Sequence, residues 1–122
     1  MKRVARVLAV IVMFAASVAL DAQDVYRSGD AGVTLPVVVK QVRPQYTAEA
    51  TGQRIMGSVL LECVVREDGR VSDITVVESL DTQYGLDDEA VKALAQWEFK
   101  PGLREGKPVA VRITVVMNFA LK

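Results

Sequence analysis

Two stretches of the chain alternate between apolar and polar residues with the two-residue period of a β-strand. The longer covers residues 109–121, where every second residue is apolar. Such an alternation predicts a half-buried strand. The shorter alternation, over residues 58–66, is followed by an Asp-Gly pair at residues 68 and 69 and by a second strand-like run over residues 71–78. An Asp-Gly pair between two such runs is a strong signal for a hairpin. The pattern therefore predicts a small antiparallel sheet of three strands.

Two other segments have helical character. The first covers residues 46–55, with Thr47 as its candidate N-cap. The second is predicted to begin with Asp87 as N-cap and to end before Pro101. Its apolar face would consist of Ala90, Val91, Leu94 and Trp97. Residues 37–42 predict one more short strand. The order helix, strand, strand, helix, strand predicts an α+β fold with both helices packed on one face of the antiparallel sheet.

The first 22 residues have the pattern of a secretory signal. A basic start at Lys2, Arg3 and Arg6 precedes an apolar stretch of 14 residues, 7–20. This stretch is shorter than the roughly 20 residues of a membrane-spanning helix, which favours cleavage, after Ala19 or Ala22. Retention as an uncleaved anchor is the alternative. Residues 23–35 lack periodicity and predict a flexible leader in front of a domain that covers residues 36–122.

Composition narrows the function classes. Removal of residues 1–22 leaves 12 basic and 14 acidic residues, a net charge of −2, which disfavours nucleic acid as a partner. The chain has no histidine and no glycine-rich phosphate loop, so we expect no enzyme, no cofactor and no small-molecule substrate. Cys63, the only cysteine, lies at an apolar strand position and is predicted to be a buried, inert thiol. Acidic residues 87–89 are explained by a helix start without a metal.

Several short motifs occur in the chain in a characteristic order. They are Pro44-Gln45-Tyr46, Gly57, Asp68-Gly69-Arg70-Val71, Leu86-Asp87, Trp97-Glu98-Phe99-Lys100-Pro101-Gly102 and Gly106-Lys107-Pro108-Val109. Together they resemble the C-terminal domain of the TonB energy-transducer family over about residues 36–121. The resemblance implies a periplasmic domain that connects inner-membrane components to outer-membrane receptors. It also implies that the last strand pairs with a short receptor peptide, the TonB box.

The resemblance also implies which residues contact the partner. The strand edge that accepts the peptide would consist of Val111, Arg112, Ile113, Thr114, Val115, Val116, Met117 and Asn118. A second contact segment would contain Arg43, Pro44, Gln45 and Tyr46. Arg43 stands where some family members have Gln, and Thr47 stands where Pro often follows the Tyr. Since only Pro36 is proline between Ala22 and Pro44, we expect a stand-alone form without a proline-rich arm, whose role is binding.

Two further interpretations accompany the peptide-binding one. The same edge could pair with a second copy, which would make the chain a self-associating structural domain in the periplasm. A buried pair of carboxylates could support an unrecognised enzyme, which is the least supported class. The sequence also leaves two roles open for Tyr46, which are packing beneath the end of the sheet and contact with the partner.

Overall fold

The computed structural model describes residues 25–121, so the predicted signal at residues 1–22 lies outside the described part. The strands are β1 Val25–Arg27, β2 Val37–Lys40, β3 Gly57–Val65, β4 Val71–Glu78, β5 Glu98–Lys100, β6 Gly102–Arg104 and β7 Lys107–Phe119. The helices are α1 Ala48–Gly52 and α2 Leu86–Leu94. Neither helix within residues 25–121 has the length and apolar character needed to cross a membrane.

The predicted three-stranded sheet is present, with the order β4-β3-β7 and antiparallel pairing throughout. The register of β3 and β7 is unbroken from the pair Gly57 and Phe119 to the pair Val65 and Val111. Both helices pack on the face that carries the apolar positions of the alternation, and the α+β class is confirmed. Its core consists of Ala50, Val59, Leu61, Cys63, Val65, Leu86, Ala90, Ala93, Leu94, Trp97, Phe99, Met117 and Phe119.

The hairpin predicted at Asp68 and Gly69 joins β3 to β4. Gly69 has a φ of +86°, and a Cβ at this position would lie 2.1 Å from the carbonyl oxygen of Phe99. The Phe99 N–H donates to the Gly69 carbonyl at 2.9 Å. Glycine is therefore required both by the turn and by the close approach of β5.

The short elements differ most from the sequence predictions. The strand expected over residues 37–42 is shorter and pairs with β5, a strand that the sequence did not predict. Helix α1 is also shorter than the expected 46–55, although its N-cap is confirmed, because Thr47 Oγ1 accepts from the Ala50 N–H at 3.1 Å. Elements of three to five residues are too short to display a periodicity of their own.

The prediction that Asp87 is the N-cap of α2 is wrong. The N-cap is Gly85, in the left-handed conformation, and Asp87 lies in the first turn. Its buried carboxylate accepts from the backbone N–H groups of Leu80 and Asp81, both at 3.0 Å. The free N–H of Leu86 is bound instead by the Asp81 carboxylate at 3.1 Å. The carboxylate that binds the N–H of Leu86 at the start of α2 therefore comes from Asp81 in the preceding loop, and not from Asp87 as the sequence predicts.

The sequence predicts Trp97 on the apolar face of α2. The helix ends at Leu94, however, so Trp97 follows the helix and is not part of that face. Trp97 is nevertheless a core residue with 7% of its surface exposed. Its ring packs near that of Phe99, with 6.1 Å between the centroids. The predicted burial is confirmed, while the predicted helical placement is wrong.

Part of the segment predicted as a flexible leader packs on the domain. Strand β1 lies parallel to β7, with Val25 beside Ala110 and Arg27 beside Arg112. Further along, the Thr34 N–H donates to the Leu103 carbonyl at 2.8 Å. The main sheet thus has two short strands, β1 and β6, in addition to the three that the sequence predicted.

Candidate functional site

One edge of β7 is open for most of its length. Strand β6 pairs with residues 107–109 and β1 pairs with residues 110–112, whereas β3 pairs with residues 111–119. Within the described part of the chain, Ile113–Phe119 therefore has β3 as its sole strand partner. Every second residue of a regular antiparallel strand turns both its N–H and its C=O away from its partner. This open edge thus presents unpaired backbone groups to which an additional strand can bind.

The opposite edge of the sheet, formed by β4, is less regular. Its pairing with β3 shifts register twice, and Asp73 adopts a positive φ of 52°. Bulges and charged residues are common devices that prevent pairing at a sheet edge. The ladder between β7 and β3 has no such shift. The geometry therefore favours β7 as the edge that accepts a partner.

A groove of about 450 Å³ lies beside the C-terminal end of the open edge. One wall comes from the segment before α1 and the other from the end of β7, which are far apart in the sequence. The lining residues are Gln41, Val42, Arg43, Pro44, Tyr46, Trp97, Val116, Met117, Asn118, Phe119 and Ala120. The structure thus brings the two predicted contact segments together at one site.

The wall before α1 is held by side chains of the domain. The indole N–H of Trp97 donates to the Val42 carbonyl at 2.8 Å. At the other end of the wall, Thr47 Oγ1 donates to the Tyr84 carbonyl at 2.6 Å. Because these bonds connect the wall to residues around α2, the groove is formed before any partner arrives, which lowers the ordering cost of binding.

Tyr46 has a clear packing role. Its hydroxyl donates to the Ile55 carbonyl, and its ring meets the Phe119 ring edge-on, with centroids 5.4 Å apart and an angle of 84° between the planes. The ring also lines the groove. Of the two roles that the sequence left open, packing beneath the end of the sheet is present, and contact with a partner stays a prediction.

The predicted contact residues fall into five groups. Ile113, Thr114 and Val115 lie on the open edge, and Val116, Met117 and Asn118 lie on both the edge and the groove. Arg43, Pro44 and Tyr46 line the groove, whereas Gln45 is exposed outside its lining. Val111 and Arg112 lie beside β1, so the open edge begins two residues later than the sequence suggested.

The sequence did not single out Gln41, Val42, Phe119 or Ala120 as site residues, and it treated Trp97 solely as a core anchor. Position within the last alternation could have indicated Phe119, which continues the apolar face of Met117. No local signal indicated Val42 or Trp97, because their shared site depends on the hydrogen bond that joins them across the fold.

The face of β7 that carries Arg112, Thr114, Val116 and Asn118 is partly engaged by side chains of β3. Arg112 Nη1 lies 3.5 Å from Glu62 Oε1, and the Ser58 hydroxyl donates to Asn118 Oδ1 at 2.5 Å. Thr114 and Val116 are exposed, and Val116 exposes 56% of its surface. Thr114 and Val116 are therefore the side chains of this face that are most available to a partner.

Cys63, on β3, is a buried free thiol. Burial, followed by the adjacent Glu62 carboxylate, raises the pKa of the Cys63 thiol to about 11, so the thiol stays protonated at neutral pH. No cluster of three or more His, Cys, Asp or Glu side chains suited to a metal occurs within residues 25–121. The features that stand out at the site are an open strand edge and a preformed groove, and both are binding features.

Comparison with known proteins identifies the family. Residues 42–121 match the family described as Gram-negative bacterial TonB protein C-terminal. The chain belongs to the TonB family. The predicted resemblance is thereby confirmed over residues 42–121, which include the whole of β7 and every groove-lining residue except Gln41.

Similar proteins support the same assignment. Protein TonB of Vibrio cholerae serotype O1 is 34% identical over 86 residues, which are 70% of this chain and 35% of that protein. Protein TonB of Pseudomonas aeruginosa is 34% identical over 79 residues, which are 65% of this chain and 23% of that protein. The solution NMR structure of the Pseudomonas aeruginosa TonB CTD superimposes with a TM-score of 0.59 at 29% identity, over 79% of this chain and 93% of that one. The chain thus spans about a third or less of the length of these TonB proteins.

Proposed function

We propose that this chain is a non-enzymatic, periplasmic binding module of TonB-dependent transport across the outer membrane. A segment of an outer-membrane receptor would pair as an added strand with Ile113–Asn118 and place side chains in the adjoining groove. The observation that carries the proposal is the continuity of the open edge with a preformed groove in a member of the TonB family. Inner-membrane components of the same system are further candidate partners.

Side-chain burial in the groove adds the binding free energy that backbone pairing does not provide. A peptide of about six residues would gain roughly five backbone hydrogen bonds at about 1 kcal/mol net each, against about 1 kcal/mol or more per residue for ordering. These contributions nearly cancel. Burial of one Val- or Leu-sized side chain in the groove would add about 1.5–3 kcal/mol. We therefore expect weak, reversible binding whose specificity comes from the groove and from Thr114 and Val116.

NMR titration tests this proposal directly. Protein labelled with ¹⁵N and purified from the periplasm is titrated with synthetic peptides that copy the periplasmic N-terminal segments of outer-membrane receptors from the same genome. We expect shifts on the amides of Ile113–Asn118 and on the indole N–H of Trp97. No shift with any of these peptides, or shifts confined to β4, would contradict the proposal.

The two edge strands offer a matched pair of variants. Val116 on β7 and Val77 on β4 expose 56% and 53% of their surfaces, so a charge at either position is equally accessible to water. Val116→Lys should weaken peptide binding by about tenfold, the equivalent of about 1.4 kcal/mol. Val77→Lys should leave it unchanged. Equal effects of the two substitutions would argue against β7 as the binding edge.

Self-association through the same open edge is the competing function. An unpaired strand edge can accept a second copy as readily as a peptide. Light scattering over a wide concentration range separates the two. A mass that doubles with concentration, together with amide shifts on Ile113–Asn118, would favour the structural domain, whereas a constant monomer that binds peptide would favour the receptor-binding module.

A further inference from the structure

Strand β1 occupies part of the edge of β7 with a segment of the chain itself. Its residues Val25, Tyr26 and Arg27 pair in parallel with Ala110, Val111 and Arg112. The open edge begins immediately afterwards, at Ile113. The same strand side that a receptor segment would use is therefore partly covered by an internal strand.

Within the described part of the chain, the side-chain contacts of Tyr26 on β1 lie at the surface. Tyr26 accepts a hydrogen bond from Arg104 Nη1 at 3.4 Å, and the Arg104 guanidinium lies 5.2 Å from the centre of its ring. Val25 and Tyr26 are half-buried and Arg27 is exposed. None of the three belongs to the core. A three-residue parallel strand with these contacts is a weakly held element.

The connection to the rest of the domain keeps β1 close to its position. After Arg27 the chain turns, with the Arg27 N–H donating to Asp30 Oδ2 at 2.8 Å. It returns to the domain at Thr34, which exchanges hydrogen bonds with Leu103. A short tether of this kind gives an attached segment a high effective concentration. Weak pairing is thus sufficient to keep β1 in place while no other strand competes for the edge.

We propose that β1 is a displaceable internal competitor for the edge of β7. It covers Ala110–Arg112 in the unbound protein, and a partner segment that extends past Ile113 displaces it. The inference rests on the proposed binding of receptor segments to this edge. It predicts that β1 lowers the apparent affinity for long partner segments and leaves the affinity for short segments unchanged. Only molecules in which β1 is released can bind a long segment along its full length.

Two variants change the pairing of β1 with β7 in opposite ways, one by weakening it and one by locking it. Tyr26→Gly removes the ring that contacts Arg104 and weakens the strand, so it releases β1. The double variant Val25→Cys and Ala110→Cys joins two directly paired positions and locks β1 when oxidised. Its reduced form is the control, and the native thiol of Cys63 is buried away from this surface.

Two lengths of one receptor peptide provide the readout, chosen from the titration above. The short form matches the length of Ile113–Asn118 and the long form matches Ala110–Asn118. We expect Tyr26→Gly to bind the long form roughly three- to tenfold more tightly than the wild type does, with no change for the short form. The locked protein should bind the long form no better than the short one, and reduction should restore the difference.

The outcomes separate this inference from the function on which it rests. If both peptides bind the wild type and neither variant changes the affinity for the long form, β1 is not a competitor, although edge binding stands. If both lengths respond equally to Tyr26→Gly, the effect is not displacement and the inference is wrong. If neither length binds any variant, the proposed function and the inference fail together.

Discussion

The role of the groove wall in binding can be tested by removing one hydrogen-bond donor, the indole N–H of Trp97, which donates to the Val42 carbonyl. Trp97→Phe removes the indole N–H that donates at 2.8 Å but keeps an aromatic ring in the core. The wall that contains Val42 and Arg43 would then lose its connection to the domain next to α2. We expect a modest loss of stability and a larger loss of peptide binding.

The magnitudes follow from the local contacts. Loss of one hydrogen bond costs about 0.5–1.5 kcal/mol, and the smaller ring adds a packing loss, so the free energy of unfolding should fall by about 1–3 kcal/mol. A released residue of the wall must be ordered again on binding, at about 1–2 kcal/mol per residue. Peptide affinity should therefore fall by about 5- to 30-fold.

The matched control is Ser79→Ala, which also removes one side-chain donor. The Ser79 hydroxyl donates to the Asp87 carboxylate, and neither residue lines the groove. Urea unfolding followed by circular dichroism should show a loss of about 1–3 kcal/mol for Ser79→Ala. Its peptide affinity should stay close to that of the wild type. If both variants lose affinity equally, or if Trp97→Phe binds normally, the groove wall does not act as argued.

Three further predictions concern the scaffold of the site. Gly69→Ala should lower the free energy of unfolding by about 2–4 kcal/mol, because its Cβ would meet the Phe99 carbonyl at 2.1 Å. Gly106→Ala, with a φ of +80° and nothing within 4 Å of its Cβ, should cost about 1–2 kcal/mol, and equal losses in urea melts would refute the steric argument. Burial opposes ionisation of Asp81, but bonds from the N–H groups of Tyr84, Leu86 and Gln83 outweigh it and lower the pKa of the carboxyl. The stability it contributes is therefore present above the unfolded pKa near 3.8 and is lost as the pH falls through the folded pKa, so the stability deficit of Asp81→Asn should shrink below about pH 4. An Asp81→Asn deficit that is constant with pH would contradict this sign. Cys63, with its pKa raised to about 11, should resist alkylation at pH 8 in the native protein and react fully in denaturant, and fast native labelling would disprove its burial.

Local patterns were sufficient for the central elements. The alternation over residues 109–121 predicted β7 and its apolar face, because side chains of a strand alternate strictly between its two sides. The Asp-Gly pair at residues 68 and 69 predicted the hairpin from turn chemistry alone. The start of α2 shows the limit of such reasoning. Asp87 has the right residue type for an N-cap, yet Asp81, from a loop whose course has no periodic signal, binds the first N–H.

The amino-acid sequence by itself determined the α+β class, the order of the long elements, the core face of the sheet and the resemblance to the TonB family. These features depend on residue types and on spacings between residues that are close together in the chain. The tertiary structure decided where the open edge begins, because the short strand β1 pairs with a strand at the other end of the chain. It also decided the groove, because residues 41–46, Trp97 and residues 116–120 meet only after folding. Contacts between distant residues leave no periodic trace in a single sequence, and this site is made of such contacts.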